Sequence, residues 1–130
     1  MMVVLFFVGS SSAAQNRTNI WQMGSGPEGF NFGIDFNSGV ADTFTQDNRW
    51  LRIINTNASI CDTNGNLLFY TNGKYSANRN NDTLFNSQGF NPGFETSSSL
   101  YGIGLQQGVI IIPFPDNDNK YYLQIGRAHV

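Results

Sequence analysis

The stretch DTNGNLLFYTNG, Asp62 to Gly73, limits the fold more than any other part of the chain. It holds two Asn-Gly pairs, at 64–65 and 72–73, around the apolar run Leu67-Leu68-Phe69-Tyr70. Asn-Gly is the strongest short-range turn signal, because asparagine tolerates positive φ and glycine prefers it. A two-residue type I′ turn at Asn64-Gly65 would set Thr63 opposite Asn66, Asp62 opposite Leu67, Cys61 opposite Leu68 and Ile60 opposite Phe69. Ala58, Ile60, Leu67 and Phe69 then share one face, and Cys61, Leu68 and Tyr70 the other. Both faces are apolar, whereas a strand wetted on one side should alternate. The hairpin is expected to lie between two layers.

The run GVIIIPFP makes the same demand, since Val109 to Ile112 offer no polar side to solvent. Pro113 and Pro115 lack the backbone donor, so the strand should stop there or lie at an edge. Other expected strands are Ile20–Met23, Phe32–Phe36, Trp50–Ile54, Ala58–Asp62, Lys120–Ile125 and a weaker Thr83–Phe85. No window of a dozen residues carries helical periodicity, and Asn86 to Leu105 read as one long loop. Charged residues make up 12% of the chain, against about a quarter in ordinary domains, while 14% are aromatic. The fold class is therefore all-β, built of antiparallel hairpins and meanders. With no helices to cover them, sheets buried on both faces need other sheets, and a β-propeller gives each blade two neighbours. A sandwich leaves the outer face of each sheet wet.

The two ends read differently. Residues 1–14 form an expected signal peptide: Val3 to Val8 are apolar, and Ser12-Ala13-Ala14 offer a small-residue cleavage site before Gln15, though no basic residue precedes Arg17. The run is too short to span a bilayer, so no membrane span is expected in the mature chain. Ile125 to Val130, IGRAHV, match the translation of a common sequencing adapter. Residues 125–130 are accordingly expected to be a non-native tail, and 15–124 a fragment of a longer product.

Three segments carry a family resemblance: NIWQMGSGPEGFNFGIDFNSG, NASICDTNGNLLFYTNGKYSANRNND and GVIIIPFPDNDNKYYLQI. Together they resemble the N-terminal WD40-like β-propeller region of large secreted bacterial proteins that end in type IX secretion sorting or gliding-motility-associated domains. Two places depart from that pattern. Trp21-Gln22-Met23-Gly24 stand where it has Trp-Tyr-Phe-Gly, and Ser76-Ala77 replace Val-Trp after the second turn. The resemblance implies about two propeller blades over residues 15–124, at roughly 40–50 residues each. It implies a secreted or cell-surface location and no defined reaction.

The chemistry-bearing residues are sparse. His129, the single histidine, lies in the expected tail, so no Ser-His-Asp or Cys-His pair is available upstream. One cysteine, Cys61, supplies neither an internal disulfide nor a zinc site and reads as a buried apolar residue. Gly102 and Gly104 precede a strand rather than a helix, which does not suit phosphate. Asp62 to Asn66 and Asp116 to Asn119 are oxygen-rich, yet neither follows the EF-hand order. Ser59 and Asp62 are one residue too far apart for the Asp-box of propeller sialidases. Both loops read as hairpin turns. Glu28, Asp35, Asp42, Asp47, Asp62, Asp82, Glu95, Asp116 and Asp118 are the carboxylates, and no pair among them stands out for glycoside hydrolysis. Trp21, Trp50, Tyr75 and Tyr101 could stack on sugar rings, although core or rim packing is the commoner role. Sequons begin at Asn16, Asn57 and Asn81.

No catalytic, metal or cofactor residue is therefore assigned. With 7 basic and 9 acidic side chains and a net charge of −2, nucleic acid is not an expected partner. The expected function is a non-catalytic extracellular or cell-surface interaction or adhesion module, its partner a protein or a glycan. The alternatives are part of a propeller enzyme acting on polysaccharide and a complete small carbohydrate-binding β-sandwich.

Overall fold

Three antiparallel sheets follow one another along the chain. The computed structural model describes residues 16–25, 31–89 and 91–126. The expected signal peptide, Glu28 and residues 127–130 with His129 lie outside them. After a 3-10 turn at Asn16–Thr18, β1 (Ile20–Met23), β2 (Phe32–Asp35) and β3 (Asp42–Thr45) form the first sheet, in that order. β4 (Ala58–Cys61), β5 (Leu67–Thr71) and β6 (Ser76–Asn78) form the second. A five-residue helix, α1 (Phe94–Ser98), interrupts the loop before the hairpin of β7 (Val109–Phe114) and β8 (Asn117–Ile125). The chain is mostly β, as the sequence leads one to expect. Among the described residues no helix is long and apolar enough to cross a membrane.

The first strands of the three sheets are neighbours: β1 packs beside β4, and β4 beside β7. Side chains fasten the seams. Ser59 Oγ donates to the Ile20 carbonyl at 2.7 Å, and Asn37 Nδ2 donates to the Gly65 carbonyl at 3.1 Å. The Tyr121 ring on β8 meets Phe69 on β5 edge-on at 5.6 Å. Leu51, Ile53, Cys61, Leu67, Tyr70 and Ala77 form the main core, with Ile20 and Tyr75 packed against it.

The first Asn-Gly turn is not type I′. Gly65 has φ +87°, but Asn64 is not left-handed. Gly65 N–H donates to the Asp62 carbonyl at 3.1 Å, and Asp62 N–H to the Asn66 carbonyl at 2.8 Å. This is a type I turn closed by a left-handed glycine, the usual three-residue hairpin loop with a bulge. The Asp62 carboxylate selects it, accepting from Asn64 N–H, Asn66 N–H and Asn66 Nδ2 at 2.8–2.9 Å. The expected pairing of Ile60 with Phe69 is observed, but Cys61 faces Leu67 rather than Leu68.

Burial bears out one apolar ribbon and corrects the other. Leu67 and Tyr70 are buried, and Leu68 and Phe69 are half-buried. On β7 Val109 is buried, but Ile110 is 52% and Ile112 42% exposed. The reason is that β7 and β8 make a two-stranded sheet, whose second face no described element covers. β7 is an edge strand, one of the two expected outcomes, and runs on through Pro113. It pairs there with Tyr121 and bulges immediately afterwards, a position that suits proline's missing donor. Ile125 is paired with Val109, and Gly126 N–H donates to the Gly108 carbonyl at 2.8 Å.

Other boundaries moved as well. Trp50–Ile54 and Thr83–Phe85 are not strands; each contributes one isolated bridge, Ile53 to Gly24 and Thr83 to Ala77. β3 and β6 carry too few apolar residues to be expected from pattern. On β3, exposed apart from a half-buried Phe44, that ring lies against Gly33, where a Cβ would sit 2.3 Å from it.

The second Asn-Gly pair is buried. Asn72 has no exposed surface, and Gly73, at φ +82°, lies beneath Ile103 and Val109. A Cβ on Gly73 would come within 2.3 Å of Ile103 Cδ1, whereas Gly39, at φ +83°, has open space around it. The two positions therefore separate backbone strain from packing. Gly39→Ala is expected to cost about 1–2 kcal/mol, the left-handed penalty alone. Gly73→Ala should cost about 1–3 kcal/mol more, from overpacking. Urea unfolding of both variants checks this, and equal losses would mean that Ile103 yields freely.

Candidate functional site

Trp50 owes its position to the residue before it. The Arg49 guanidinium is buried, with Nη1 donating to Gln22 Oε1 at 3.1 Å and Nη2 to the Gly24 carbonyl and Asn31 Oδ1, both at 2.9 Å. Nη2 also donates to the Met23 carbonyl. Leu51 on the other side is buried in the core. With both neighbours buried, Trp50 is left on the outside, 75% exposed.

Tyr75 reaches the same place from the second Asn-Gly turn. Asn72 Oδ1 accepts from Lys74 N–H at 3.0 Å and Tyr75 N–H at 3.3 Å, and Thr71 Oγ1 donates to the Tyr75 carbonyl at 2.8 Å. The Tyr75 hydroxyl then donates to the Trp50 carbonyl at 3.1 Å. Between them opens a cleft of about 470 Å³ lined by Trp50, Lys74, Tyr75, Thr83, Gln88 and Gly89. Lys74 Nζ donates to the Ser99 carbonyl at 2.8 Å, tying one wall to the end of α1. Two of the four candidate aromatics thus meet. Tyr101 lies apart with the Arg52 guanidinium over its ring at 5.3 Å. Trp21 belongs to the first sheet, donating Nε1 to the Thr18 carbonyl at 2.9 Å and packing on Phe36 at 5.2 Å.

The two oxygen-rich loops also share a cleft, of about 490 Å³, which Asp62, Asp118, Arg17 and Tyr121 help to line. Several of their oxygens are engaged internally. Asp118 pairs with the buried Arg17, whose Nη1 donates to the Tyr121 hydroxyl at 3.0 Å. The Asn66 side chain, and then its backbone N–H, hold the Asp62 carboxyl below its usual value. Among the described residues no three metal-ligating side chains gather. Asp35 and Asp42 stand opposite each other across β2 and β3, a pairing with no local signal because apolar pattern does not mark β3. Asp35 Oδ1 accepts from Asn37 N–H at 2.7 Å. Cys61 is fully buried, and that burial pushes its thiol upward, away from the reactive thiolate. Gly102 is pressed against Asn72, a packing contact.

Compared with protein-family models, curated proteins and solved structures, the chain matches none.

Two phenols beside the site give a pH signature. Burial pushes Tyr70 well above the ordinary tyrosine value, with Arg49 opposing, and burial raises Tyr75 against the pull of Arg52 and Arg49. A raised phenol keeps its proton in the folded chain where the unfolded chain has lost it. Its contribution to stability is therefore whole below about pH 10 and declines as pH climbs from there towards the folded value. For Tyr70 the decline should approach about 1.4 kcal/mol per pH unit. Urea midpoints measured from pH 9 to 12 (about that range, set by the tyrosine value) should fall in the native chain and fall less steeply in Tyr70→Phe.

Proposed function

We propose that this chain is a non-catalytic interaction module of a secreted or cell-surface protein, its two three-stranded sheets being successive blades of an incomplete WD40-like β-propeller and the β7–β8 hairpin the start of the next. The observation that carries this reading is the adjacency of the first strands, β1 to β4 to β7. In a propeller the first strand of each meander lies innermost, so consecutive blades meet along those strands. The seam bonds between β1 and β4 support it, as does the uncovered face of Ile110, Ile112, Phe114 and Tyr122, where a further blade would pack. The open aromatic cleft supports binding.

An antibody raised against the chain should label intact, unpermeabilised cells that express it, or recover it from their medium. Recovery only from the cell interior would overturn the location. For the architecture, Ile110→Thr combined with Ile112→Thr should cost under about 1 kcal/mol, since both side chains are already in water. The same change should reduce binding of a hydrophobic dye such as ANS. A loss of several kcal/mol would mean the face is covered within this chain, and the blade reading would fail.

A second reading, a β-domain acting on polysaccharide, is supported by Asp62 and Asp118 lining one cleft. It requires hydrolysis of a polysaccharide that Asp62→Asn or Asp118→Asn abolishes.

A further inference from the structure

We propose that the Trp50–Tyr75 cleft binds a pyranose ring of a neutral polysaccharide, with the Trp50 indole as the stacking platform. This rests on the reading of the chain as an extracellular interaction module and names the ligand class for it.

Trp50 leaves three quarters of its surface in water. An indole is among the largest apolar groups a fold can bury, so holding it in water forgoes a favourable burial. Here it is held out. The buried Arg49 and Leu51 fix the backbone on both sides, and the Tyr75 hydroxyl fixes the intervening carbonyl. Among the described residues no aromatic ring stacks on it. A platform already fixed before binding loses little freedom when a ligand arrives.

The rest of the lining sorts possible ligands by charge and shape. Among the described residues no carboxylate lines the cleft and Lys74 is the single charged one, with one of three ammonium hydrogens already given to Ser99. Among these residues an anion would find one partly engaged cation and an apolar ring, and a cation would find no counter-charge. Thr83 and Gln88 are exposed and make no side-chain hydrogen bond to the described residues. Between them they offer donors and acceptors together: a hydroxyl, an amide NH₂ and an amide carbonyl. The Tyr75 oxygen keeps an acceptor position after donating to Trp50. A pyranose matches this set, since one face carries C–H groups for the indole and its rim carries hydroxyls that both donate and accept. The volume of about 470 Å³ falls in the range of small-molecule sites, roughly 300–1,000 Å³.

The test uses the 130-residue chain carrying Trp21→Phe, which leaves Trp50 as the sole indole and changes a residue outside the cleft. The probes are the soluble linear hexasaccharides of glucose, xylose, mannose and N-acetylglucosamine. At least one should shift the Trp50 emission saturably, and calorimetry should show binding about tenfold weaker in Trp50→Ala. Gln88→Ala, at an exposed position, should weaken it about threefold or more and serves if Trp50→Ala unfolds. The proposal is overturned by the absence of saturable binding to all four probes up to about 10 mM, or by binding that both variants leave within about twofold. Surface labelling without hexasaccharide binding would remove this inference alone. Hexasaccharide binding by a protein confined to the cell interior would remove the location reading alone.

Discussion

The buried amide of Asn72 is the contact on which the second half of the structure depends. Its Oδ1 takes the N–H groups of Lys74 and Tyr75, and its Nδ2 donates to the Arg52 carbonyl at 2.9 Å. Its own carbonyl accepts Ile103 N–H at 3.0 Å. One residue thereby ties the β5–β6 turn to the segment after Arg49 and to the loop that leads into β7. Each such bond is worth about 0.5–1.5 kcal/mol net, but leaving one of these buried groups unpaired costs about 1–3 kcal/mol. The neighbouring glycines make the approach possible. Gly73 admits Ile103 and Val109 from one side, and a Cβ on Gly102 would stand 2.5 Å from the Asn72 carbonyl oxygen. The turn, the loop and the cleft wall are consequently one unit, since Lys74 and Tyr75 leave the Asn72 cap pointing at Trp50.

Arg49 plays the matching role on the other wall, by a costlier route. It is a buried cation whose partners among the described residues are carbonyl and amide oxygens, with no carboxylate among them. Burial lowers its pKa, the direction expected when desolvation of a charge exceeds its compensation. Among the described residues its Nε and the Gln22 Nε2 find no partner, so the compensation is incomplete. What the arrangement secures is direction. A planar fork can hold the end of β1 and Asn31 at once, and a single ammonium cannot reach all four acceptors in that geometry. Asn31 Nδ2 returns a bond to the Arg49 carbonyl at 3.3 Å, fixing the backbone just before Trp50.

Pattern made some of this visible in the sequence and concealed the rest for physical reasons. β1, β4, β5 and β7 could be read because apolar residues mark them. β3 and β6 could not, because Asp42-Thr43-Phe44-Thr45 and Ser76-Ala77-Asn78 pair through backbone groups that any residue supplies. Asn64-Gly65 marked a turn, but its type was set by Asp62, two residues earlier, which offers a carboxylate that a type I′ turn would not use. Asn72-Gly73 marked a turn as well, and nothing local could say that it lies under Ile103. The cleft follows the same rule. Trp50 and Tyr75 were each candidates for sugar contact, yet their meeting depends on Arg49 and Asn72, residues whose partners are distant in sequence.

The two clefts also show why residue type alone misleads about sites. The one bordered by Asp62 and Asp118 contains the groups most often linked with chemistry, and the fold engages them: Asp62 caps its own turn, and Asp118 neutralises Arg17. Asp62 already accepts from three donors and has little capacity left for a ligand, and one oxygen of Asp118 is given to Arg17. The other contains a tryptophan, a threonine and a glutamine, none of which would attract notice in a search for catalytic residues. Their capacity is nevertheless intact, because Arg49 and Asn72 satisfy the backbone around them and ask nothing of their side chains. Binding potential in this molecule lies where structural hydrogen bonding is complete without the exposed groups, and the Trp50 cleft meets that condition where the acidic one does not.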